Sequence, residues 1–252
     1  MGIKGLFSFI QQHCKKTGSQ TCVKSITLKD LKGKTIAIDT SIFVYKFVIS
    51  CGTGGHYVAA LKKFIDSIKK NEIRPVFVFD GIPPTQKQQT LDDRKAKQPI
   101  ALVCDQDFAN VRELIESMNV DIVDAPGEAE AQCAHLNRQG LVDCVASEDM
   151  DTLCFGAPCL IRNFNTSGKP MTQLTLDNVL KDLGMTNMEE FIDFCILCGS
   201  DYAVSPYGIG PIRAHGLITK QMKSLEKVAE ENNMDPIPFK EARQLFIKPN
   251  VI

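Results

Sequence analysis

Acidic residues recur in this 252-residue chain directly after apolar runs, where mutual repulsion ought to destabilise it. The stretch CVASEDMDTL, Cys144 to Leu153, sets Glu148, Asp149 and Asp151 at the end of the run Leu141–Ala146. Asp39 follows IAI, Asp80 follows VFVF, Glu128 and Glu130 follow NVDIVDAPG, and Asp201 stands in LCGSDY. Two like charges ~4 Å apart repel by about 4 kcal/mol at an effective dielectric near 20. Several such pairs would exceed the ~5–15 kcal/mol stability of a typical domain. Acids gathered in that way need protonation or divalent cations. An all-oxygen donor set without clustered His or Cys points to Mg2+ or Mn2+ rather than zinc. Two hard metal ions in an acidic cup suit in-line phosphoryl transfer. Singly, each Asp also reads as a turn residue or helix N-cap, and Glu128 and Glu130 as favourable charges at a helix start. It is the set that argues for a metal site.

Such a set needs elements that bring it together. KTIAIDTS, IRPVFVFDG, NVDIVDA, LVDCVAS and PCLIRNF read as five short apolar strands. Helical patterns over about 40–50, 57–70, 105–118 and 128–139 separate them, and segments from about 175 onward are helical. The expected fold is α/β: a mostly parallel central sheet with helices on both faces and a helical C-terminal section. Ligands of open parallel sheets bind beyond the carboxyl ends of the strands, which puts the strand-end acids on one rim. Asp201 joins them from the end of a helical run. Residues two apart face different sides of a helix, so Glu128 and Glu130 share a site only if Glu128 sits at a non-helical start, after Pro126–Gly127. Otherwise one of the pair acts through water. An aspartyl-nucleophile phosphatase would need a second acid where Ser41 follows Asp39.

The formal net charge of −1 does not announce a nucleic-acid binder, but net charge hides asymmetry. A substrate bearing phosphates would need basic residues beside the acids. After Gly81–Pro84, Lys87 and Arg94 lie seven apart, two turns along one helical face. They either overlook the rim or form a solvated charged face. In YGIGPIRA, Gly208 and Gly210 let backbone N–H groups approach a phosphate at a helix start, or simply form a turn. The segment 85–104 is polar and reads as a mobile helix or loop. Ten cysteines scattered among apolar runs, with no signal-peptide pattern, read as reduced buried thiols of an intracellular protein. The Cys195–Cys198 C-x-x-C pair reads as core packing, and the four histidines receive no role. With no 18-residue apolar run, no membrane partner is expected.

The motifs MGIKGL, IAIDTS, FVFDGIPP, APGEAEAQCA, SEDMDTLCFG, LCGSDY and GIGPIRA occur in that order. Together they resemble the flap endonuclease family of structure-specific 5′ nucleases, over nearly the whole chain to EARQLF. The resemblance implies one 5′ nuclease domain over 1–252: a nuclease part at 1–104 with a short helical gateway at about 83–104, an internal nuclease part at 105–190, and a helical duplex-binding section at about 191–252. It implies a structure-specific 5′ flap endonuclease with 5′→3′ exonuclease activity on branched DNA in replication and repair, using two Mg2+ ions with Mn2+ as substitute. Asp39, Asp80, Glu128, Glu130, Asp149, Asp151 and Asp201 align with the family's metal-site carboxylates, and Glu148 with a non-ligand.

By the same resemblance, Lys87 and Arg94 match electrostatic catalysts, with Lys95 and Lys97 as backbone contacts. Gly208, Gly210, Arg213 and Lys220 belong to a helix–two-turn–helix element that grips the duplex, usually with a monovalent cation such as K+. Tyr45 matches a base-stacking tyrosine; its other reading is a core tyrosine beside Phe43 and Phe47. Gly2 matches an N-terminal glycine packed near the active site.

The chain also departs from the family. Only 33 residues separate Arg94 from Glu128, where cellular members carry a longer arch. ISCGTGGHY is short, and no basic tail or sliding-clamp peptide precedes the end at KPNVI. A compact monomer is expected, nuclear, or cytoplasmic if from a large DNA virus; a truncated chain is the alternative. The competing activities are the exonuclease or Holliday-junction-resolving branch of the family, a small ribonuclease, and a non-catalytic branched-DNA binding module, against which the full set of acids argues.

Overall fold

A computed structural model describes residues 2–19, 21–51, 56–88, 90, 92 and 103–252. The strands are β1 (Val23–Ile26), β2 (Thr35–Asp39), β3 (Arg74–Phe79), β4 (Asp121–Asp124), β5 (Cys144–Ala146), β6 (Cys159–Arg162) and β7 (Met171–Thr175). They form one sheet in the order β1-β7-β6-β5-β2-β3-β4. Neighbours from β4 to β6 pair in parallel, while β7 pairs antiparallel with both β6 and β1. The five expected strands are therefore the parallel part. Two strands were not foreseen: VKSI and MTQLT carry no continuous apolar run, because they form the more polar, antiparallel end of the sheet.

The helices are α1 (Leu6–Thr17), α2 (Thr40–Cys51), α3 (His56–Lys70), α4 (Asp105–Ser117), α5 (Ala129–Arg138), the single turn α6 (Asp151–Cys154), α7 (Leu176–Asp182), α8 (Met188–Cys198), α9 (Pro211–Thr219), α10 (Leu225–Glu231) and α11 (Ile237–Ile247). Side chains alternate across the pleat. Ile36, Ile38, Phe77 and Phe79 pack with Phe43, Phe64 and Ile115 of α2, α3 and α4. Ala37, Val76, Val78 and Val145 face the other way, with Leu6 and Ile10 of α1, Ala134 of α5 and Phe194 of α8. The central strands are buried on both faces, which is why they read as unbroken apolar runs. The C-terminal section is helical, as expected. In the expected gateway, Thr85–Lys87 forms a 3-10 turn; Arg94, Lys95 and Lys97 lie outside the described residues.

Candidate active site

Parallel pairing puts the acidic strand ends on one rim. Asp39 closes β2, Asp80 follows β3, and Asp149 and Asp151 follow β5, the second as the first residue of α6. Glu128 is the extended N-cap of α5 (φ −85°, ψ 140°) and Glu130 lies in its first turn. This is the non-helical start that the two-residue spacing required, and both glutamates reach the Lys87 ammonium. Lys87 Nζ is hydrogen-bonded to Glu128 Oε1, lies 3.2 Å from Glu130 Oε1 and 4.0 Å from Asp201 Oδ2. Of the seven acids, six are buried and only Asp80 is exposed.

Hydroxyl and backbone donors fix part of this set. The Ser147 hydroxyl donates to Asp39 Oδ2 at 3.1 Å and accepts from the Asp149 N–H at 3.0 Å. The Asp151 N–H donates to Asp149 Oδ1 at 3.2 Å. Asp80 accepts from the Ala129 N–H at 2.8 Å and from the Ser41 hydroxyl. The Tyr202 hydroxyl donates to Glu128 Oε2, and its ring lies 5.9 Å from the Lys87 ammonium.

The electrostatics show what remains unbalanced. Burial first, then Asp80 and Asp149, push Asp39 up to about 7. Burial is also the main cause that raises Glu130 and Asp151 well above the carboxylate range and lifts Asp149. Burial works against the charged Lys87, but Glu130, Glu128 and Asp201 outweigh it and keep the ammonium protonated. Among the described residues, Asp39 Oδ1 and both carboxylate oxygens of Asp151 are buried without a hydrogen-bond partner. Buried polar atoms in that state are rare and costly. An all-oxygen set with orphaned acceptors fits a hard divalent cation. The acids nonetheless ring the site rather than touch: among the described residues no three of them bring oxygens within 4.8 Å of one another. Three of them, Glu128, Glu130 and Asp201, converge on Lys87.

Gly2 is built into the same rim. Its φ is +70°, and a Cβ there would lie 1.6 Å from Asp149 Oδ1 and 2.7 Å from Asp151 Oδ1. Other expected residues sit further out. Tyr45, on α2, is 49% exposed, its ring set edge-on to Phe108 at 6.3 Å; it is a surface tyrosine rather than a core one. Gly208 (φ +74°) and Gly210 lead into α9, with Gly210 as N-cap and Pro211 in its first turn. Arg213 and Lys220, on and just after α9, are exposed. Glu148 turns away from the rim, accepting from the Asn163 N–H at 2.6 Å with Arg162 at 3.5 Å. Cys195 and Cys198 are core residues. Sequence reasoning missed Ser41, Ser147 and Tyr202. Each lies within two residues of a rim acid, but an uncharged hydroxyl makes no pattern of its own.

The chain matches the XPG N-terminal domain over residues 1–100 and the XPG I-region over 119–201. It is 36% identical over 300 residues to flap endonuclease 1 of Scheffersomyces stipitis, spanning all of this chain and 77% of that protein. Among solved structures, flap endonuclease-1 from Methanococcus jannaschii superposes with TM-score 0.78 at 26% identity, covering 92% of this chain and 84% of that one. The catalytic core of Rad2 in complex with DNA substrate gives TM-score 0.81 at 24% identity, over 100% of this chain and 88% of that one, a likeness of fold. Two matched regions that span the rim and full-length identity at this level place the chain in the flap endonuclease family.

Proposed function

We propose that the protein is a structure-specific 5′ flap endonuclease with 5′→3′ exonuclease activity, hydrolysing DNA at single-strand/double-strand junctions. The observation that carries this reading is the convergence of buried carboxylates from separate strand ends, with orphaned oxygens on Asp39 and Asp151. Asp39, Asp80, Glu128, Glu130, Asp149, Asp151 and Asp201 are the residues to hold Mg2+, two ions per site, with Mn2+ as substitute. When bound, the ions supply a nucleophilic water at neutral pH and charge stabilisation for the leaving 3′ oxygen, giving 5′-phosphate and 3′-hydroxyl ends.

The chain's own residues do the rest. Lys87, held protonated among acids, keeps a positive charge where negative charge develops on the phosphoryl group; Arg94 is assigned the same task. Gly2 leaves room for the Asp149 and Asp151 carboxylates to approach the substrate. Exposed Tyr45 offers a stacking face for an unpaired nucleotide. Gly208, Gly210, Arg213 and Lys220, within the helical section 191–252, offer backbone N–H groups and cations to duplex phosphates. Such contacts place the substrate without reading its sequence, and K+ at the α9 entry belongs to this proposal. We place the enzyme with cellular or viral DNA, in nucleus or cytoplasm, as a monomer. Among the described residues no helix is long and apolar enough to cross a membrane.

The test is cleavage of labelled 5′ flap, nicked duplex and intact four-way junction under Mg2+. The flap should be cut fastest, at its base. Preference for the intact junction would move the enzyme to the resolving branch, and binding without cleavage would remove the enzymatic reading.

A further inference from the structure

One cluster of ligating side chains lies apart from the acidic rim. Cys14, on the last turn of α1, Cys22, just before β1, and Asp182, at the end of α7, bring two Sγ atoms and a carboxylate oxygen within 4.8 Å of one another. Among the described residues this is the one such triplet of metal-ligating atoms. The Cys14 Sγ to Asp182 Oδ2 distance is 3.9 Å. Donors sharing one tetrahedral zinc, at ~2.3 Å for sulfur and ~2.1 Å for oxygen, stand roughly 3.6–3.8 Å apart. The Cys14–Asp182 pair therefore needs to contract by only a few tenths of an ångström, and no pair of the three by more than about 1 Å.

The surroundings have the features of a built site. Both cysteines are buried, at 5% and 1% exposure. The Thr21 hydroxyl donates to the Asp182 carboxylate at 3.0 Å and 3.3 Å, and the Thr21 carbonyl is itself held by Asn178 Nδ2 at 3.1 Å. Outer hydrogen bonds of this kind orient a ligating carboxylate. Burial works against ionised Asp182, but hydrogen bonds from Ser19, Cys22 and Thr21 prevail, so its carboxyl lies below the usual range. A cavity of about 540 Å³, lined by Cys14, Lys15, Gly18 and Lys24 among others, opens beside the thiols. It supplies an entry path and room for a fourth ligand. Zinc with two thiolates and a carboxylate carries a net charge of −1, and Lys15 and Lys24 stand on the cavity wall to offset it.

We propose that Cys14, Cys22 and Asp182 bind a borderline-soft divalent cation, zinc first, with water in the fourth position. Thiolate donors select against Mg2+, as the all-oxygen rim selects for it, so the chain sorts two classes of metal into two places. Binding exchanges the two thiol protons, released to solvent, for two metal–sulfur bonds, with no change of oxidation state. The site fastens α1, the helix that follows Gly2, to β1 and α7 at the antiparallel end of the sheet. The ion ties these three elements together through residues that are not among the rim acids.

The test uses the whole protein, reduced, in excess Mg2+ to keep the rim out of the measurement. Zinc titrated against a chromophoric chelator should bind at one equivalent that Mg2+ does not displace. Cobalt should give a thiolate charge-transfer band. Zinc at about 100 times its Kd should raise the melting temperature by roughly 5–10 °C. Cys14→Ser and Cys22→Ser should abolish the cobalt band and weaken zinc by at least about 100-fold, and Asp182→Asn should weaken it less. Should a serine variant fail to fold, wild type alone decides: zinc must protect Cys14 and Cys22, mapped by mass spectrometry, from alkylation. Zinc fully displaced by Mg2+, a cobalt band that survives Cys14→Ser, or unprotected thiols would each overturn the proposal. So would a Cys14–Cys22 disulfide already present in the freshly isolated protein.

Discussion

Replacing Gly2 by alanine adds one methyl group at the most crowded point of the rim. The residue has φ +70°, which costs an L-amino acid about 1–2 kcal/mol. The new Cβ would stand 1.6 Å from Asp149 Oδ1, whereas unbonded heavy atoms rest at roughly 3.5 Å. A gap of about 2 Å therefore has to open. Asp149 cannot simply rotate away, because its Oδ1 holds the Asp151 N–H at 3.2 Å and both carboxylates are buried. The alternative is for the N-terminal segment to lift, but Ile3 is buried and the Lys4 N–H is bonded to the Gly199 carbonyl at 3.0 Å. By either route Asp149 or its neighbours move by an ångström or more, and a 1 Å misplacement at a reacting centre costs on the order of 10²-fold in rate. Single-turnover cleavage of a labelled 5′ flap at saturating Mg2+ should fall by about that factor. The melting temperature should drop by only roughly 2–8 °C, as about 1–2 kcal/mol implies for a chain of this size. A folded Gly2→Ala enzyme that cleaves within about threefold of wild type would refute the reasoning.

Three further perturbations address the charges of the rim. Asp39 is raised to about 7 in the folded state, so the folded protein binds the extra proton. This contribution to stability is present below the ordinary carboxylate range and is lost as pH rises through about 7. In chelator the melting temperature should fall between pH 5 and 8, more steeply than in Asp39→Asn, with about 2–3 kcal/mol of stability lost over that window for a shift of this size; Mg2+ should restore stability at the alkaline end. Lys87→Met leaves Glu128, Glu130 and Asp201 without their shared cation. Removing one partner of a buried pair costs about 3–5 kcal/mol, so melting in chelator should drop accordingly and recover with Mg2+; a drop that Mg2+ leaves untouched would mean that lost packing, not charge, is the cause. Tyr202→Phe removes the hydroxyl that orients Glu128. We expect about 1.5–3 kcal/mol lost from stability or from transition-state binding, read in melting and in the cleavage rate, and no change in either would show that the bond is unimportant.

The parallel core was legible because burial on both faces forces unbroken apolar runs, as in TIAID and PVFVF. The acids were legible for the converse reason: Asp39, Asp80 and Asp149 interrupt the apolar pattern where the strands end. VKSI and MTQLT were not legible as strands, because exposed and half-buried antiparallel positions accept polar side chains. Lys87 was expected on a helix looking down on the rim. It reaches the acids from a 3-10 turn and is buried among them, a placement that long-range packing sets and local spacing does not. The pairing of Cys14 with Cys22 and Asp182 was invisible for the same reason, since Asp182 comes from the far end of α7. The expected roles of Gly2 and Tyr45 came from the family resemblance alone, as a lone glycine or tyrosine carries no periodic signal.

The most direct measurement is Mg2+-dependent single-turnover cleavage of a labelled 5′ flap by wild type and by Asp149→Ala. The acidic rim as a metal centre predicts Mg2+-dependent cutting at the flap base by wild type and a loss of at least about 10³-fold in the folded mutant. Wild-type-like cleavage by Asp149→Ala, or wild-type cleavage undiminished in chelator, would contradict it.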